Sequence, residues 1–241
     1  MESWIRLLIR AQKPRGGEGD PTFGVDRDTR RLTGFSDAVF AISSTLLVLD
    51  IRLPAGTEHL GRDLLTLWPS YLAYAITFLL IGQTWVNHHL MFDHIRSIDR
   101  TILLLNTLLL LTAAFVPFTA ETLARAFSSG QGERAATVFY GATFMVGAIF
   151  FNLIWHYARR GHRLLGDTIT PEGASVVARR YLPAPFLTAL GTGVGFILPE
   201  LGVTMIALLI PLYWLSIPGE MPKASRNRGN AAKDHGQVEG Q

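Results

Sequence analysis

"RRLTGFSDAVFAISSTLLVLDIRLP", residues 30–54, combines two kinds of chemistry that rarely share a segment. Its body is apolar over about the length that a bilayer core demands of a helix, roughly 20 residues. Yet Arg31, Ser36 and Asp37 stand near its start, and Ser43, Ser44 and Thr45 near its middle. Ionisable groups in a membrane helix are costly and turn towards protein or water rather than lipid. The spacing sorts these residues. At about 100° per residue, Thr45, Leu46 and Leu49 fall within about 60° of Ile42 and form one stripe. Asp37 lies roughly 140° from Ile42, with Ser44 beside it. One face therefore suits hydrogen bonds to neighbouring helices, and the other is aliphatic with one hydroxyl.

Apolar blocks of similar length recur along the chain. The first span is expected over about 32–53, ended by Pro54 and Gly56. The second is expected over about 65–89, with Pro69 in its first turn, where proline is tolerated. The third covers about 101–123, and Pro117 inside it predicts a kink. "SSGQGE", residues 128–133, is a turn before a fourth span over about 135–158. A polar stretch follows over 159–180. Two shorter spans, about 181–198 and 202–217, are separated by Pro199 and Glu200. The expected fold class is all-α: a polytopic membrane protein with six transmembrane helices over residues 30–217. Residues 1–29 form an N-terminal segment, of which 11–29 read as a linker rich in glycine and proline. Residues 218–241 form a polar tail, expected to be disordered.

Of the 241 residues, 49% are hydrophobic and only 17% charged. A soluble core of this composition would show shorter, amphipathic segments. The net charge of +3 does not point to nucleic acid, because the basic residues gather beside the apolar blocks. Six spans put both ends on one side. That side would carry Arg27, Arg30, Arg31, Arg96, Arg100, Arg159, Arg160, Arg179 and Arg180, whereas the opposite loops hold Arg52, Arg62, Arg125 and Arg134. The bias predicts a multi-pass cell-membrane protein with both termini cytoplasmic. The chain has no cysteine, which excludes disulfides and thiolate metal sites. No cofactor is implied.

Polar residues recur at one level near the cytoplasmic side: Ser36 and Asp37 in span one, Asn87, His88 and His89 in span two, Asn106 in span three, Asn152 and His156 in span four. They are expected to form a hydrogen-bond network tying the helices together. "HHLMFDH", residues 88–94, holds four possible metal ligands, but adjacent histidines diverge by about 100° on a helix, so no metal site is expected. Histidine titrates near neutral pH, so a proton-conducting or proton-coupled protein is the alternative reading. An enzyme using Asp37 and the histidines would need a substrate cavity with convergent groups, and the spacing shows only packing chemistry.

Arg31, Phe35, Ser36 and Asp37 form an R-x-x-x-F-S-D pattern, and "WVNHH", residues 85–89, ends the second span. With the six-span layout, these motifs resemble the bacterial branch of the lysosomal potassium channel family known as TMEM175. The resemblance implies a potassium-permeable homotetramer of six-span subunits in a lipid bilayer, with four copies of the first helix around a central pore. It puts the pore constriction five residues after the motif aspartate, at Ile42, with Thr45 or Leu46 and then Leu49 facing the pore beyond it. It also implies that Arg31, Ser36 and Asp37 hold the first helix through Trp85 and either His88 or His89.

Overall fold

The computed structural model describes residues 22–53, 59–162, 164–166 and 169–214. The opening stretch lies in helix α1, Thr22–Leu46, which continues into a 3-10 turn, Leu47–Asp50. Helix α1 begins well before residue 32, so the linker reading of residues 11–29 is corrected from residue 22 onward. No proline lies between Pro21 and Pro54 to stop the helix. The expected tail and the first residues of the N-terminal segment lie outside the described residues.

Helices α2, Leu60–Thr66, and α3, Trp68–Phe92, meet at a bend of 50°. Pro69 sits in the first turn of α3, where its missing N–H costs no helical bond. Helix α4, Arg100–Ser129, is capped by the Asp99 carboxylate, which accepts from the amides of Thr101 and Ile102 at 3.0 Å each. It continues through Pro117 as one helix and stops at Gly130, whose φ of 66° is a left-handed value that glycine adopts without strain. Helix α5, Glu133–Arg159, follows the turn. Then come α6, Pro171–Tyr181, α7, Pro183–Ile197, α8, Pro199–Ala207, and α9, Leu209–Trp214. Among the described residues there is no strand, only one isolated antiparallel bridge between Ile95 and Leu165.

The chain is thus all-α and built from membrane-type helices. Three segments are long and apolar enough to cross a bilayer: Thr29–Asp50, Arg100–Ser129 and Glu133–Arg159. The bent pair α2–α3 makes a fourth if it is one span. The last two apolar segments occur in the expected order and, as expected, are shorter than the three long spans: Pro183–Ile197 and Pro199–Trp214. Helix α6 lies inside the stretch read as merely polar. Its start was legible: Thr170 precedes Pro171, and the Thr170 hydroxyl accepts from the Gly173 amide at 3.2 Å.

Helix α1 packs on α3 and α4, α4 on α5, and α5 on α7, which pairs with α8. One buried cluster joins Phe40, Leu80, Val116, Tyr140 and Ile206. A second, at the arginine-rich end, joins Met91, Ile102, Trp155 and Tyr181 with Ile95 and Leu165 of the bridge. Trp155 Nε1 donates to the Ala174 carbonyl at 3.1 Å and fastens α6 to α5. The Thr77 and Tyr140 hydroxyls meet at 2.9 Å between α3 and α5, deep among apolar side chains.

Small residues allow α7 and α8 to touch. A Cβ on Gly202 would run into the backbone of Gly195, whereas one on Gly193 would meet nothing within 4 Å. Gly202→Val should therefore lower stability by about 3 kcal/mol, the scale of severe overpacking. Gly193→Ala, inside the helix with open space at its Cβ, should raise it by up to about 1 kcal/mol. Thermal unfolding of the purified chain in detergent measures both.

A candidate pore-lining helix and the network that holds it

Helix α1 has two faces with different surroundings. Ser36, Phe40, Ser43 and Leu47 recur at helical spacing and are all buried, Ser36 completely. The other side carries Ile42, Thr45, Leu46 and Leu49, all exposed on the subunit, with Ile42 at 57% and Leu49 at 66%. Arg31, Gly34, Phe35, Ala38 and Ala41 lie exposed as well.

A directed chain of hydrogen bonds fixes which face turns inward. The Ser36 hydroxyl donates to the Leu32 carbonyl at 2.9 Å, so its oxygen is left to accept. Asn106 Nδ2 of α4 donates to that oxygen at 3.0 Å. The amide is thereby oriented with Oδ1 towards His88 of α3, 2.9 Å from Nε2. A carbonyl oxygen cannot donate, so the proton on this bond belongs to His88 Nε2. Ser36, His88 and Asn106 are all fully buried. Phe92 stacks on the His88 ring at a centroid distance of 4.4 Å, and Phe40 meets it edge-on at 5.4 Å. Nearer the surface, Trp85 Nε1 donates to Asp37 Oδ1 at 2.8 Å.

The structure therefore gathers Ser36, Asp37, Trp85 and His88, together with Asn106. Between the two histidines it selects His88. His89 is exposed, with Nε2 4.0 Å from Asp93. Arg31 and Phe35 are exposed and stand apart from this chain of bonds. Asn87 instead lines a cavity between α3, α4, α5 and α7. Asn152 and His156 do not join the network, which corrects that expectation. Asn152 Nδ2 donates to the carbonyls of Ala148 and Tyr181, and His156 pairs with Arg159. Both lie on α5, which packs chiefly against α4 and α7. The histidines of residues 88–94 diverge: His88 faces Asn106, His89 faces outward, and His94 packs against the Trp155 ring. Sequence reasoning missed Gln83, Thr77 and Tyr140. Their signal was a polar group in mid-span, the same signal that marked Asn106.

At the arginine-rich end the loops are clipped together. Arg96 N donates to the Leu164 carbonyl at 2.9 Å and Gly166 N to the His94 carbonyl at 3.0 Å. The Tyr157 hydroxyl donates to Asp99 Oδ2 at 2.6 Å. Thr29 of α1 reaches the Arg96 carbonyl at 3.4 Å.

Comparison with known proteins gives a consistent set of matches. The family model described as the endosomal/lysosomal potassium channel TMEM175 matches residues 31–117, which include both sequence motifs. A protein named as a potassium channel in Chamaesiphon minutus is 37% identical over 186 residues, covering 76% of this chain and 91% of the relative. A potassium channel of Streptomyces collinus is 34% identical over 189 residues, covering 77% of this chain and 91% of the relative. The crystal structure of the Chamaesiphon minutus TMEM175 homologue, titled a lysosomal potassium-selective channel homologue, superposes with a TM-score of 0.71. It does so at 34% identity, over 78% of this chain and 97% of that one.

Asn106→Ala would strand the His88 Nε2–H in the interior and remove the bond that the Ser36 oxygen accepts, although the Ser36 hydroxyl keeps the Leu32 carbonyl. It should lower stability by about 2–4 kcal/mol, since an unsatisfied buried polar group costs about 1–3 kcal/mol. Trp85→Phe, which breaks only the more exposed bond to Asp37, should cost about 1 kcal/mol. Unfolding midpoints of the two variants in the same detergent check the ranking.

Proposed function

The chain belongs to the TMEM175 family, and from that premise we propose that potassium crosses the membrane along the exposed stripe of its first helix. The protein is a potassium channel with membrane-spanning helices and not an enzyme. The observation that carries the finer reading is the two-faced burial of α1. Its polar side is sealed into the subunit, while Ile42, Thr45, Leu46 and Leu49 are left uncovered.

Four subunits in a closed ring would turn these stripes to one axis, as a pore with one helix per subunit requires. Gly34, Ala38 and Ala41 on the uncovered side are small enough for helices to approach closely. Ile42 side chains meeting at the axis form the constriction. A narrow aliphatic ring dewets and stops ions without any charged barrier, and a small displacement of the helices rehydrates it. The Thr45 hydroxyl donates to the Ile42 carbonyl at 2.9 Å. Its proton spent, Thr45 presents only lone pairs to an ion, which favours cations. Side-chain oxygens replace few waters of hydration, and the sequence has no TVGYG-type carbonyl filter, so discrimination against sodium is modest.

Ser36, Asp37, Trp85 and His88 act as positioning residues that hold the rotation of α1. The arginine bias supports cytoplasmic termini and a membrane domain over residues 30–217. Proton conduction is less well supported. His88 is held in a buried chain of bonds on the side of α1 away from the stripe, and its Nε2–H is already donated to Asn106 Oδ1.

Potassium flux into liposomes holding the full chain tests the reading. Ile42→Asn should raise the flux several-fold, and unchanged flux at normal expression removes Ile42 from the gate. Crosslinked protein should migrate at four times the 26.6 kDa of the chain. Reversal potentials should follow a potassium gradient and not a pH gradient.

A further inference from the structure

A cavity of about 110 Å³ lies behind α1, walled by Phe40 and by residues of α3, α4, α5, α7 and α9. Most of its wall is apolar, contributed by Leu80, Val116, Phe144 and Leu209 among others. Six of its polar side chains share one property. Thr84, Thr112, Thr143 and Thr188 each donate their hydroxyl proton to a backbone carbonyl of their own helix, at 2.7 to 3.0 Å. Asn152 gives Nδ2 protons to two carbonyls, at 2.9 and 3.0 Å. Gln83, only 6% exposed, donates to the Leu209 carbonyl at 3.1 Å, and its Oε1 is buried without a partner. Carbonyls only accept, so these six side chains are left offering oxygen lone pairs. The buried Tyr213 hydroxyl, on the same wall, also has no partner.

The Tyr213 hydroxyl and the Asn87 amide can donate, but the buried Gln83 Oε1 only accepts, so an occupant that pairs with it has to bring the hydrogen. It also has to be uncharged, because no Asp, Glu, Lys or Arg is among the lining residues to balance a charge at membrane depth. At about 110 Å³ the space is smaller than the apolar cavity of about 150 Å³ that holds benzene in another protein, so the occupant is no more than one small ring. We propose that this cavity binds a small neutral molecule with an apolar body and a hydrogen-bond donor, of the phenol or alcohol class. Phe40 lies on the side of α1 opposite Ile42. A ligand against Phe40 occupies the space into which α1 would move to widen the pore, so binding lowers conductance. That consequence rests on α1 being the pore helix; the binding does not.

The test uses the detergent-solubilised full chain with 4-fluorophenol, and with 4-fluorotoluene as the donor-free match, followed by fluorine NMR. Saturable binding of the phenol is expected, about three- to tenfold tighter than the toluene, the range that one net hydrogen bond confers. Ala148→Leu and Ala184→Leu, each projecting into the cavity from a different helix, should abolish it. Absence of saturable binding overturns the site and leaves the cavity to water. Equal affinity for phenol and toluene overturns the donor argument, and unaltered binding in both folded variants overturns the location. Potassium flux in liposomes separates the second claim. A fall with 4-fluorophenol in the parent chain and none in the filled variants supports the coupling to α1. Undisturbed flux at saturating phenol overturns that coupling while the binding stands.

Discussion

The architecture turns on one orientation: the rotation of α1 about its own axis. Hydrophobicity alone does not set it, because both sides carry large apolar residues, Phe40 and Leu47 on one and Ile42, Leu46 and Leu49 on the other. The chain from His88 through Asn106 to Ser36 sets it, since each member is buried and each bond has a fixed direction. In a medium without water, a rotation of α1 that pulled Ser36 away would leave donors and acceptors stranded, and the cost falls on every partner together. Asp37 and Trp85 repeat the constraint nearer the surface. The aliphatic stripe is uncovered as a result of that polar lock. Polar groups specify the face, and apolar residues then occupy the face left over.

Much of this was legible in the amino-acid order, for reasons that differ by element. That Ile42, Thr45 and Leu46 share one side followed from helical periodicity, because a helix keeps its angular register; Leu49 is exposed in the 3-10 turn that follows. Ser36, His88 and Asn106 were conspicuous as polar residues inside apolar blocks, where only a partner makes them affordable. The choice of His88 over His89 was not readable. The two differ by about 100° of rotation, and the rotation of α3 is fixed by packing against α1 and α4. Asn152 and His156 carried the same signal as Asn106 but sit on a helix that faces elsewhere. Depth in the membrane could be counted along the chain, whereas adjacency between helices could not. Helix α6 hid because its composition is polar, although its cap and first-turn proline were in plain order. The early start of α1 hid because the membrane signal ends where the charged residues begin and the helix does not.

The clip between residues 94–96 and 164–166 gives the arginine-rich end a role in the same constraint. It joins the loop before α4 to the loop after α5 by backbone bonds, which depend little on side-chain identity. Tyr157 and Asp99 brace it, and Asp99 also caps α4. The helix that carries Asn106 is therefore held at its start by the residues that fasten the loops.

The lock on α1 also sets its mechanics. Ser36 is a fulcrum near one end of the exposed stripe. Ile42 stands six residues beyond it, about 9 Å along the axis, and Leu49 stands 13 residues beyond it, about 20 Å. Any swing of the helix about that anchor carries Leu49 roughly twice as far as Ile42. In the proposed ring of four subunits, such a lever would flare the distant mouth more than the waist, so a tilt that just freed an Ile42 ring would already leave a wide funnel beyond it.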